Sequence, residues 1–366
     1  MIDIELAAGT EMVQLLTPAG DLVGDPDQVV IPVAEIADMY RDMVLVRRFD
    51  TEAIALQRQG EMGLWTSLRG QEAAQVGAGH ALRPRDMVFP SYREHGVAWC
   101  RGMDPVSLVE LWRGSAPGGW DPHAFNFASY VIVIGAQALH ATGYAMGLVR
   151  DGVVGTGDAD RDTAVVAFFG DGAMSQGDTN EAFAWAAAQR LPVVFFCQNN
   201  QWAISAPVTV QSGVPLARRA AGFGFPGVQV DGNDALACRA VTEAALHHAR
   251  SGGGPVLVEA FTCRMNPHTT SDDATRYRPR EELAEWAERD PITRVRTYLE
   301  RTGAVEPAFF ASVEEDAEKL AVRFRAEVRA LADVSVDSVF TNVYEQAPAE
   351  LIEQRDELVA FVQSVS

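Results

Sequence analysis

A carboxylate and an amide, set apart by a fixed stretch of chain, are the residues best suited to chemistry here. Asp171 lies within Gly170-Asp171-Gly172, and 26 residues separate that triplet from Asn199-Asn200. A carboxylate and an amide oxygen are ligands that Mg²⁺ takes from a protein when phosphate oxygens supply most of the others. Gly172 has no side chain, so backbone N–H groups can approach a phosphate closely. These residues predict a magnesium-diphosphate site.

Two buried strands are expected to position these groups. The apolar runs at residues 164–169 and 192–197 each stop at one of the two motifs, and a helix is predicted from about Asn180 to Arg190. In parallel sheets, ligands bind in the crevice beyond the carboxyl ends of the strands. Gly-Asp-Gly and Asn-Asn are each common turns on their own. The order strand, motif, helix, strand, motif favours a binding site.

This layout resembles the diphosphate-binding motif of thiamine diphosphate enzymes. The run GDGAMSQGDTNEAFAWAAAQRLPVVFFCQNNQWAIS is similar to the alpha subunit of the 2-oxoacid dehydrogenases, the thiamine-dependent decarboxylating component of the pyruvate and branched-chain complexes. The resemblance covers about residues 30–360. It implies an α/β thiamine diphosphate-binding fold with a mainly parallel sheet flanked by helices, and it implies thiamine diphosphate and Mg²⁺ as cofactors.

Within that resemblance, Asp171 and Asn200 match the side-chain ligands of Mg²⁺, and the main-chain carbonyl of Trp202 matches the third ligand. Gly172 and Ala173 belong to the same diphosphate-binding motif.

A second motif, Phe89-Pro90-Ser91-Tyr92-Arg93-Glu94-His95-Gly96, contains a tyrosine beside an arginine. A guanidinium fork matches phosphate oxygens, although Tyr-Arg pairs are usually surface turns. The resemblance assigns Tyr92 and Arg93 to the diphosphate, and His95 is predicted to be part of the local structure. It also matches Ile132 and Ile134, in a strand-like run at 130–135, to positions whose main-chain groups hold the aminopyrimidine ring.

The polar, proline-broken stretch at 264–278 is predicted to be a long mobile loop over the crevice. A lone histidine in a loop is usually just solvated. The resemblance matches His268 to the family's active-site histidine, and imidazole is suited to proton exchange or oxyanion stabilisation. Arg264, Asp273 and Tyr277 are expected to order the loop.

Four positions depart from relatives of the resembled family. Thr66 stands where some relatives have a histidine, and Gln198 stands where some have a phosphate-binding arginine. Ala136 replaces a threonine near a potassium site, which argues against potassium here. Thr269 stands at the position of a regulatory serine in eukaryotic relatives, and phosphorylation is unsupported.

Charge and composition exclude several classes of partner. The chain has 30 basic and 50 acidic residues and a formal net charge of −20, which argues against nucleic acid or an anionic membrane. Without a long apolar stretch or a basic leader, it is expected to be cytoplasmic. Its cysteines show neither metal-ligand spacing nor a disulfide framework, and they are predicted to be buried thiols: Cys100, Cys197, Cys238 and Cys263.

The predicted organisation is an N-terminal arm at 1–30, an α/β cofactor-binding domain at 31–285 and a C-terminal helical segment at 286–366 that packs on a partner. The cofactor needs a glutamate at its aminopyrimidine ring, and no second domain is present to supply one. The resemblance therefore implies a beta subunit, an α2β2 heterotetramer, and transfer of the acyl group to the lipoyl group of a partner acyltransferase.

The substrate is less clearly indicated. Asp272-Asp273 followed by Arg276-Tyr277-Arg278 looks closer to the branched-chain branch, whereas residues 68–72 look closer to the pyruvate branch. A branched-chain 2-oxoacid of the 2-oxoisovalerate type is expected. Pyruvate, acetoin and a catalytically silent binding paralogue are the alternatives.

Overall fold

A five-stranded parallel sheet forms the centre of the chain in a computed structural model that describes residues 2–8, 12–23, 31–116, 119–341 and 343–365. The strand order is β1-β2-β3-β7-β6, and a short β4-β5 hairpin follows β3. The strands are β1 Met87–Phe89, β2 Val165–Gly170, β3 Val193–Asn199, β4 Trp202–Ala203, β5 Ala206–Pro207, β6 Gly227–Asp231 and β7 Val256–Phe261.

Helices cover both faces of this sheet. They are α1 Ile4–Ala7, α2 Val33–Arg58, α3 Glu72–Ala81, α4 His95–Cys100, α5 Pro105–Arg113, α6 Pro122–Phe125, α7 Ala136–Arg150, α8 Gly177–Gln189, α9 Val208–Gln211, α10 Ala235–Arg250, α11 Arg280–Ala287, α12 Pro291–Thr302, α13 Pro307–Ala330 and α14 Ala349–Val365. Among the described helices, none is long and apolar enough to cross a membrane.

Alternating side chains of the central strands divide the core into two layers. Phe168 and Phe196 face the layer that contains α2, α3 and α10, whereas Phe169 and Phe195 face the layer that contains α7 and α8. Because both faces are covered, the two central strands are apolar over residues 165–169 and 193–197, as parallel strands usually are. The prediction of a mainly parallel sheet flanked by helices is confirmed.

Capping residues fix several helix boundaries. Asp234 Oδ1 accepts a hydrogen bond of 3.0 Å from the Ala237 backbone N–H at the start of α10, as its position before an apolar run predicts. Asp290 caps α12 in the same way through the Thr293 backbone N–H, at 2.9 Å. These two caps fix the residues at which α10 and α12 begin.

The strand predicted over 130–135 is wrong. The segment is irregular, it has Ile132 and Val133 side chains that are 61% and 70% exposed, and it ends in a turn at Gly135 with φ +91°. The bridge to Val88 of β1 is made by Phe127, which lies before this segment. Apolar and β-branched composition favours a strand only where a neighbouring strand is available to pair with it.

The N-terminal arm is only partly described. Residues 24–30 of the predicted arm, including Pro26, lie outside the described residues. Residues 12–23 lie on the chain's own sheet edge, where Val13 bridges Val230 of β6 and Leu16 is fully buried.

Near the C-terminus, α13 packs on α2 through the Tyr40–Phe310 and Phe49–Phe324 ring contacts. The helix expected from residue 340 onward begins at Ala349, after a short 3-10 turn at Val336–Val339. None of the described residues of α14 is buried, and Phe361 and Val365 are more than three-fifths exposed.

Candidate active site

A cavity of about 450 Å³ opens at the carboxyl ends of β2 and β3. It is the crevice that parallel topology provides for ligands. Every site residue predicted from the sequence lines it: Tyr92, Arg93, Ile132, Ile134, Asp171, Gly172, Ala173, Asn200, Trp202 and His268.

Asp171 lies at the tip of β2, at the start of a 3-10 turn, Asp171–Ser175. The register pairs Gly170 with Gln198, so the tips of β2 and β3 are side by side. The carboxylate is almost fully buried, and its Oδ2 accepts a hydrogen bond of 2.9 Å from Gln211 Nε2. Burial raises the pKa of Asp171 to about 6, because the charged form loses its water. A bound cation would restore the charged form.

Asn200 and Trp202 follow the tip of β3. Asn200 Oδ1 accepts a 3.3 Å bond from the Trp202 backbone N–H, and its Nδ2 donates to Gln71 Oε1 over 3.3 Å. The Trp202 carbonyl oxygen accepts a hydrogen bond of 2.7 Å from Arg264 Nη1. That carbonyl keeps a second lone pair, since a carbonyl oxygen has two.

Gly172 is required by the close approach of the β4-β5 hairpin. A Cβ atom at this position would lie 2.8 Å from Ala203 Cβ, which is closer than two carbon atoms can approach without a shift. The missing side chain therefore brings the backbone of the 3-10 turn up against the strand that carries Trp202.

Arg93 connects the loop before α3 to the loop at 264–278. Its Nη1 donates to the Ser67 carbonyl oxygen over 2.5 Å, and its Nη2 donates to the His268 carbonyl oxygen over 2.8 Å. Among the described residues it forms no ion pair with a carboxylate. A buried guanidinium without a counter-ion at a cavity wall is suited to an anionic ligand.

The imidazole of His268 is neutral and has a defined tautomer. Its Nδ1 lies 3.3 Å from Arg93 Nη2, and because arginine can only donate, Nδ1 is the acceptor and the proton resides on Nε2. Burial, with the positive charges of Arg93 and Arg264, lowers the pKa of His268 to about 3. The ring can therefore donate a hydrogen bond from Nε2 at neutral pH.

Asp272 orders the part of the loop around His268 together with Arg264 and Tyr277, and the predicted Asp273 orders the short turn that follows. Asp272 Oδ2 accepts bonds from the His268 backbone N–H at 2.8 Å and from the Tyr277 hydroxyl, and Arg264 Nη2 donates to Tyr277 over 3.2 Å. Asp273 is exposed and caps the short turn at Ala274–Arg276. The sequence cannot distinguish the two adjacent aspartates, because their roles depend on the direction in which the backbone points each side chain.

A buried network around Glu94 was not identified from the sequence. Glu94 accepts hydrogen bonds from the Ser91 backbone N–H at 2.7 Å, from the Ser91 hydroxyl and from Gln198 Nε2 at 2.6 Å. Gln198 Oε1 in turn accepts a 2.9 Å bond from Gln75 Nε2. Gln198 therefore serves Glu94 in the position where some relatives have a phosphate-binding arginine. The sequence feature that could have indicated this network is the acidic residue Glu94 directly after Arg93 in the motif.

Asp50 was also missed. It is fully buried in the middle of α2 and accepts bonds from Trp65 Nε1 at 2.8 Å, Ser67 Oγ at 2.6 Å and the Leu68 backbone N–H at 3.1 Å. It thereby fixes the loop whose Ser67 carbonyl holds Arg93. Nothing local in the sequence distinguishes Asp50 from a surface aspartate.

His95 is a structural residue, as predicted. Its Nε2 donates to the Thr66 carbonyl oxygen over 2.9 Å, its Nδ1 accepts from the Tyr130 hydroxyl over 2.7 Å, and its ring stacks on Trp65. The Thr66 hydroxyl donates to the Tyr92 carbonyl oxygen over 2.8 Å.

Among the described residues that line the cavity, four have a buried polar atom without a hydrogen-bond partner. These atoms are Gln71 Nε2, Trp112 Nε1, Gln137 Oε1 and Arg264 Nε. Buried polar groups are normally hydrogen-bonded, so unpaired ones at a cavity wall indicate that a polar ligand completes the site.

A family model and several known proteins are similar to this chain over most of its length. A family model described as dehydrogenase E1 component matches residues 40–330. The 3-methyl-2-oxobutanoate dehydrogenase subunit alpha of Mycobacterium tuberculosis is 44% identical over 97% of this chain and 95% of its own length.

Two pyruvate dehydrogenase E1 component alpha subunits are also similar to the chain. The protein from Acholeplasma laidlawii is 37% identical over 94% of this chain and 99% of its own length. The protein from Staphylococcus aureus is 35% identical over 94% and 91%, respectively.

Proposed function

Because this chain belongs to the dehydrogenase E1 component family, we propose that it is the alpha subunit of a 2-oxoacid dehydrogenase that acts on a branched-chain 2-oxoacid. The observation that carries the proposal is the cavity at the tips of β2 and β3, which all the predicted cofactor-binding residues line. The name of the Mycobacterium tuberculosis relative supports the choice of substrate.

The cavity fits thiamine diphosphate with Mg²⁺. Asp171, Asn200 and the Trp202 carbonyl would hold the metal, since carboxylate and carbonyl oxygens suit this hard cation. Tyr92, Arg93 and the backbone of Gly172 and Ala173 would bind the diphosphate. The raised pKa of Asp171 and the unpaired guanidinium of Arg93 support these roles, because each group lacks the oppositely charged partner that a metal diphosphate would supply.

When bound, thiamine diphosphate supplies the carbon nucleophile and the electron sink for the departing CO₂. The chain itself binds and orients. Main-chain groups of Ile132 and Ile134 would hold the aminopyrimidine ring, so the exposure of their side chains to the cavity and its mouth does not matter. His268 would donate its Nε2 proton in a hydrogen bond to the oxyanion or carboxylate of the substrate, because it is neutral with that proton in place.

Activation of the cofactor would come from another chain. The carboxylates that line the cavity, among the residues described, are Asp171 and Glu94. The oxygens of Glu94 are already occupied by Ser91, Arg93 and Gln198. No carboxylate is left for the aminopyrimidine ring, which supports a beta subunit, an α2β2 heterotetramer and acyl transfer to a lipoyl acyltransferase.

The domain assignment is part of the same proposal. Residues 31–285 would form the cofactor-binding domain, residues 1–30 an arm and residues 286–366 a helical segment that packs on the beta subunit.

A cytoplasmic location is supported by the four cysteines, all of which are free thiols.

Apolar side chains in the cavity wall support a branched aliphatic substrate. Leu64, Trp112 and Ile204 line the cavity that His268 also lines. Pyruvate is the second candidate, because two relatives are pyruvate dehydrogenase alpha subunits. Acetoin is the third.

The test is a comparison of kcat/KM for 2-oxoisovalerate, pyruvate and acetoin on the chain purified together with its beta subunit. We expect the highest value for 2-oxoisovalerate and almost no turnover without the beta subunit. A preference for pyruvate would contradict the proposed branched-chain substrate. Full activity of the isolated chain would contradict an active site that the beta subunit completes.

Calorimetry separates an enzyme from a silent binding paralogue. Asp171→Asn should weaken Mg²⁺-dependent binding of thiamine diphosphate by on the order of 100-fold, which corresponds to about 3 kcal/mol. Asp178→Asn, a change on the exposed first turn of α8, is the matched control and should bind like the wild type. Failure of the unaltered complex to bind the cofactor would refute the enzyme hypothesis.

A further inference from the structure

A second cluster of metal-ligating side chains lies outside the cofactor cavity. Asp42 of α2, His80 of α3 and Cys100 of α4 place one ligand atom each within 4.8 Å of one another. None of the three lines the cavity at the tips of β2 and β3. Three different ligand types therefore converge from three helices at a place that the proposed reaction does not use.

We propose that Asp42, His80 and Cys100 form a binding site for a transition-metal ion of the Zn²⁺ class. A carboxylate, an imidazole and a thiolate together suit Zn²⁺ or Co²⁺, whereas Mg²⁺ and Ca²⁺ take oxygen ligands. As the metal binds, the thiol proton of Cys100 leaves to solvent, and the proton that His80 Nε2 shares with Asp42 Oδ2 is lost as the ring takes the tautomer protonated on Nδ1.

The distances require only a small adjustment. His80 Nε2 and Asp42 Oδ2 are 2.7 Å apart in the structure. Ligand atoms of a tetrahedral zinc ion stand about 3.3 to 3.6 Å apart, so the His–Asp pair would open by about 0.6 Å. No pair is more than 4.8 Å apart, so no pair would have to close by more than about 1.5 Å. Side-chain rotation on three fixed helices suffices for such movements.

The surroundings of the cluster support it. Trp99 Nε1 donates to Asp42 Oδ1 over 2.8 Å, which leaves Oδ2 for a metal and orients the carboxylate from outside. Gly79 makes room for the thiol beside His80, because a Cβ atom there would lie 2.7 Å from Cys100 Sγ. The arrangement of the three ligands thus depends on Trp99 and Gly79 as well.

Access is available from a second cavity, of about 520 Å³, which Asp38, Asp42, His80 and Asp316 line. The guanidinium of Arg41 in the same wall is paired with Asp316 at 2.6 Å, so its charge is compensated. The remaining carboxylates make the opening attractive to a cation. A three-residue zinc site keeps its fourth position for water, and that position would face this opening.

The experiment is a Co²⁺ titration of the full-length chain in complex with its beta subunit, after chelation and then saturation with Mg²⁺ and thiamine diphosphate. We expect a thiolate-to-cobalt charge-transfer band that saturates at one Co²⁺ per alpha chain. The cofactor site has only oxygen ligands and cannot produce that band. Its absence, even with excess Co²⁺, would overturn the proposal.

Matched variants locate the band. Cys100→Ser should abolish the charge-transfer band. Trp99→Phe removes a residue that only orients a ligand and should weaken Co²⁺ binding by about 10-fold. His80→Gln removes a ligand itself and should weaken binding by more than the 10- to 100-fold that is typical when an orienting residue is lost. His123→Gln, on exposed α6, is the control and should bind like the wild type. A band that survives in Cys100→Ser would refute the site. Decarboxylase activity without added Co²⁺ should be unchanged in Cys100→Ser, which shows that the variant is folded.

Discussion

Arg264 Nη1 donates a hydrogen bond of 2.7 Å to the carbonyl oxygen of Trp202, the group that we propose as the third ligand of Mg²⁺. The same guanidinium donates to the Ile204 carbonyl oxygen over 2.8 Å and to Tyr277. One buried cation thus joins the hairpin after β3 to the loop that carries His268. The metal site and the loop should respond together to a change at this residue.

Arg264→Met is expected to uncouple the proposed metal site from the loop that carries His268. The change removes the donor of the buried Trp202 carbonyl oxygen, which costs about 1–3 kcal/mol if no new partner is found, and the donor of the partly buried Ile204 carbonyl oxygen, which water can replace. We expect a lower melting temperature and a higher KM for thiamine diphosphate. Arg276→Met, on the exposed side of the same loop, is the control and should change stability by no more than about 0.5 kcal/mol. Equal effects of the two changes would contradict the coupling.

Gly172→Ala is expected to weaken cofactor binding. The new Cβ would push Ala203, and with it the hairpin that contains Trp202, at a typical overpacking cost of about 1–3 kcal/mol. If that cost is paid on binding, it corresponds to about a 5- to 150-fold higher Kd of thiamine diphosphate, measured by calorimetry. Gly170→Ala is the matched control, because a Cβ there would meet nothing closer than 4.0 Å. Comparable losses in both variants would argue against the clash.

His268 is expected to act as a neutral hydrogen-bond donor. Its pKa of about 3 means that it stays unprotonated across the neutral range. His268→Ala should lower kcat by about 100-fold, and His268→Gln, which keeps an N–H donor, should recover part of that loss. The shape of the pH–kcat profile should be the same in the wild type and in His268→Ala. Loss of an ionisation near neutral pH in the variant would show that His268 transfers a proton instead.

Asp50 should make stability depend on pH. Burial raises its pKa to about 6, so between its ordinary pKa and that value the native state holds a proton that the unfolded chain has lost. The wild type is therefore destabilised as the pH rises through this window. Asp50→Asn cannot titrate, so its free energy of unfolding relative to the wild type should rise by about 1 kcal/mol between about pH 5 and about pH 7. Urea unfolding at both pH values measures this difference, and an identical difference at both would contradict the prediction.

The sequence predicted the sheet and the residues at its edge for one physical reason. Residues 164–169 and 192–197 are apolar on both faces, which only strands covered on both sides require. Once those strands were placed, parallel topology brought Asp171 and Asn200 to the same edge. Their roles as ligands remain a proposal, as do the roles of Tyr92, Arg93 and His268.

The partners of buried side chains could not be predicted. Asp50 and Glu94 are each fixed by donors from other parts of the chain, and no local pattern encodes such contacts. The choice between Asp272 and Asp273 depends on which way the loop turns. Residues 130–135 were misassigned because propensity does not reveal whether a pairing strand is present.

The terminal helix α14 has a consequence for how the protein must be made. Its Leu358, Phe361 and Val365 side chains remain in water when the chain is alone. An alpha chain synthesised in excess of its partner would carry this apolar face for as long as it waited for assembly. Since marginal and exposed states are sorted by chaperones and proteases, balanced synthesis of the two chains, rather than a high level of either, should determine how much enzyme a cell obtains.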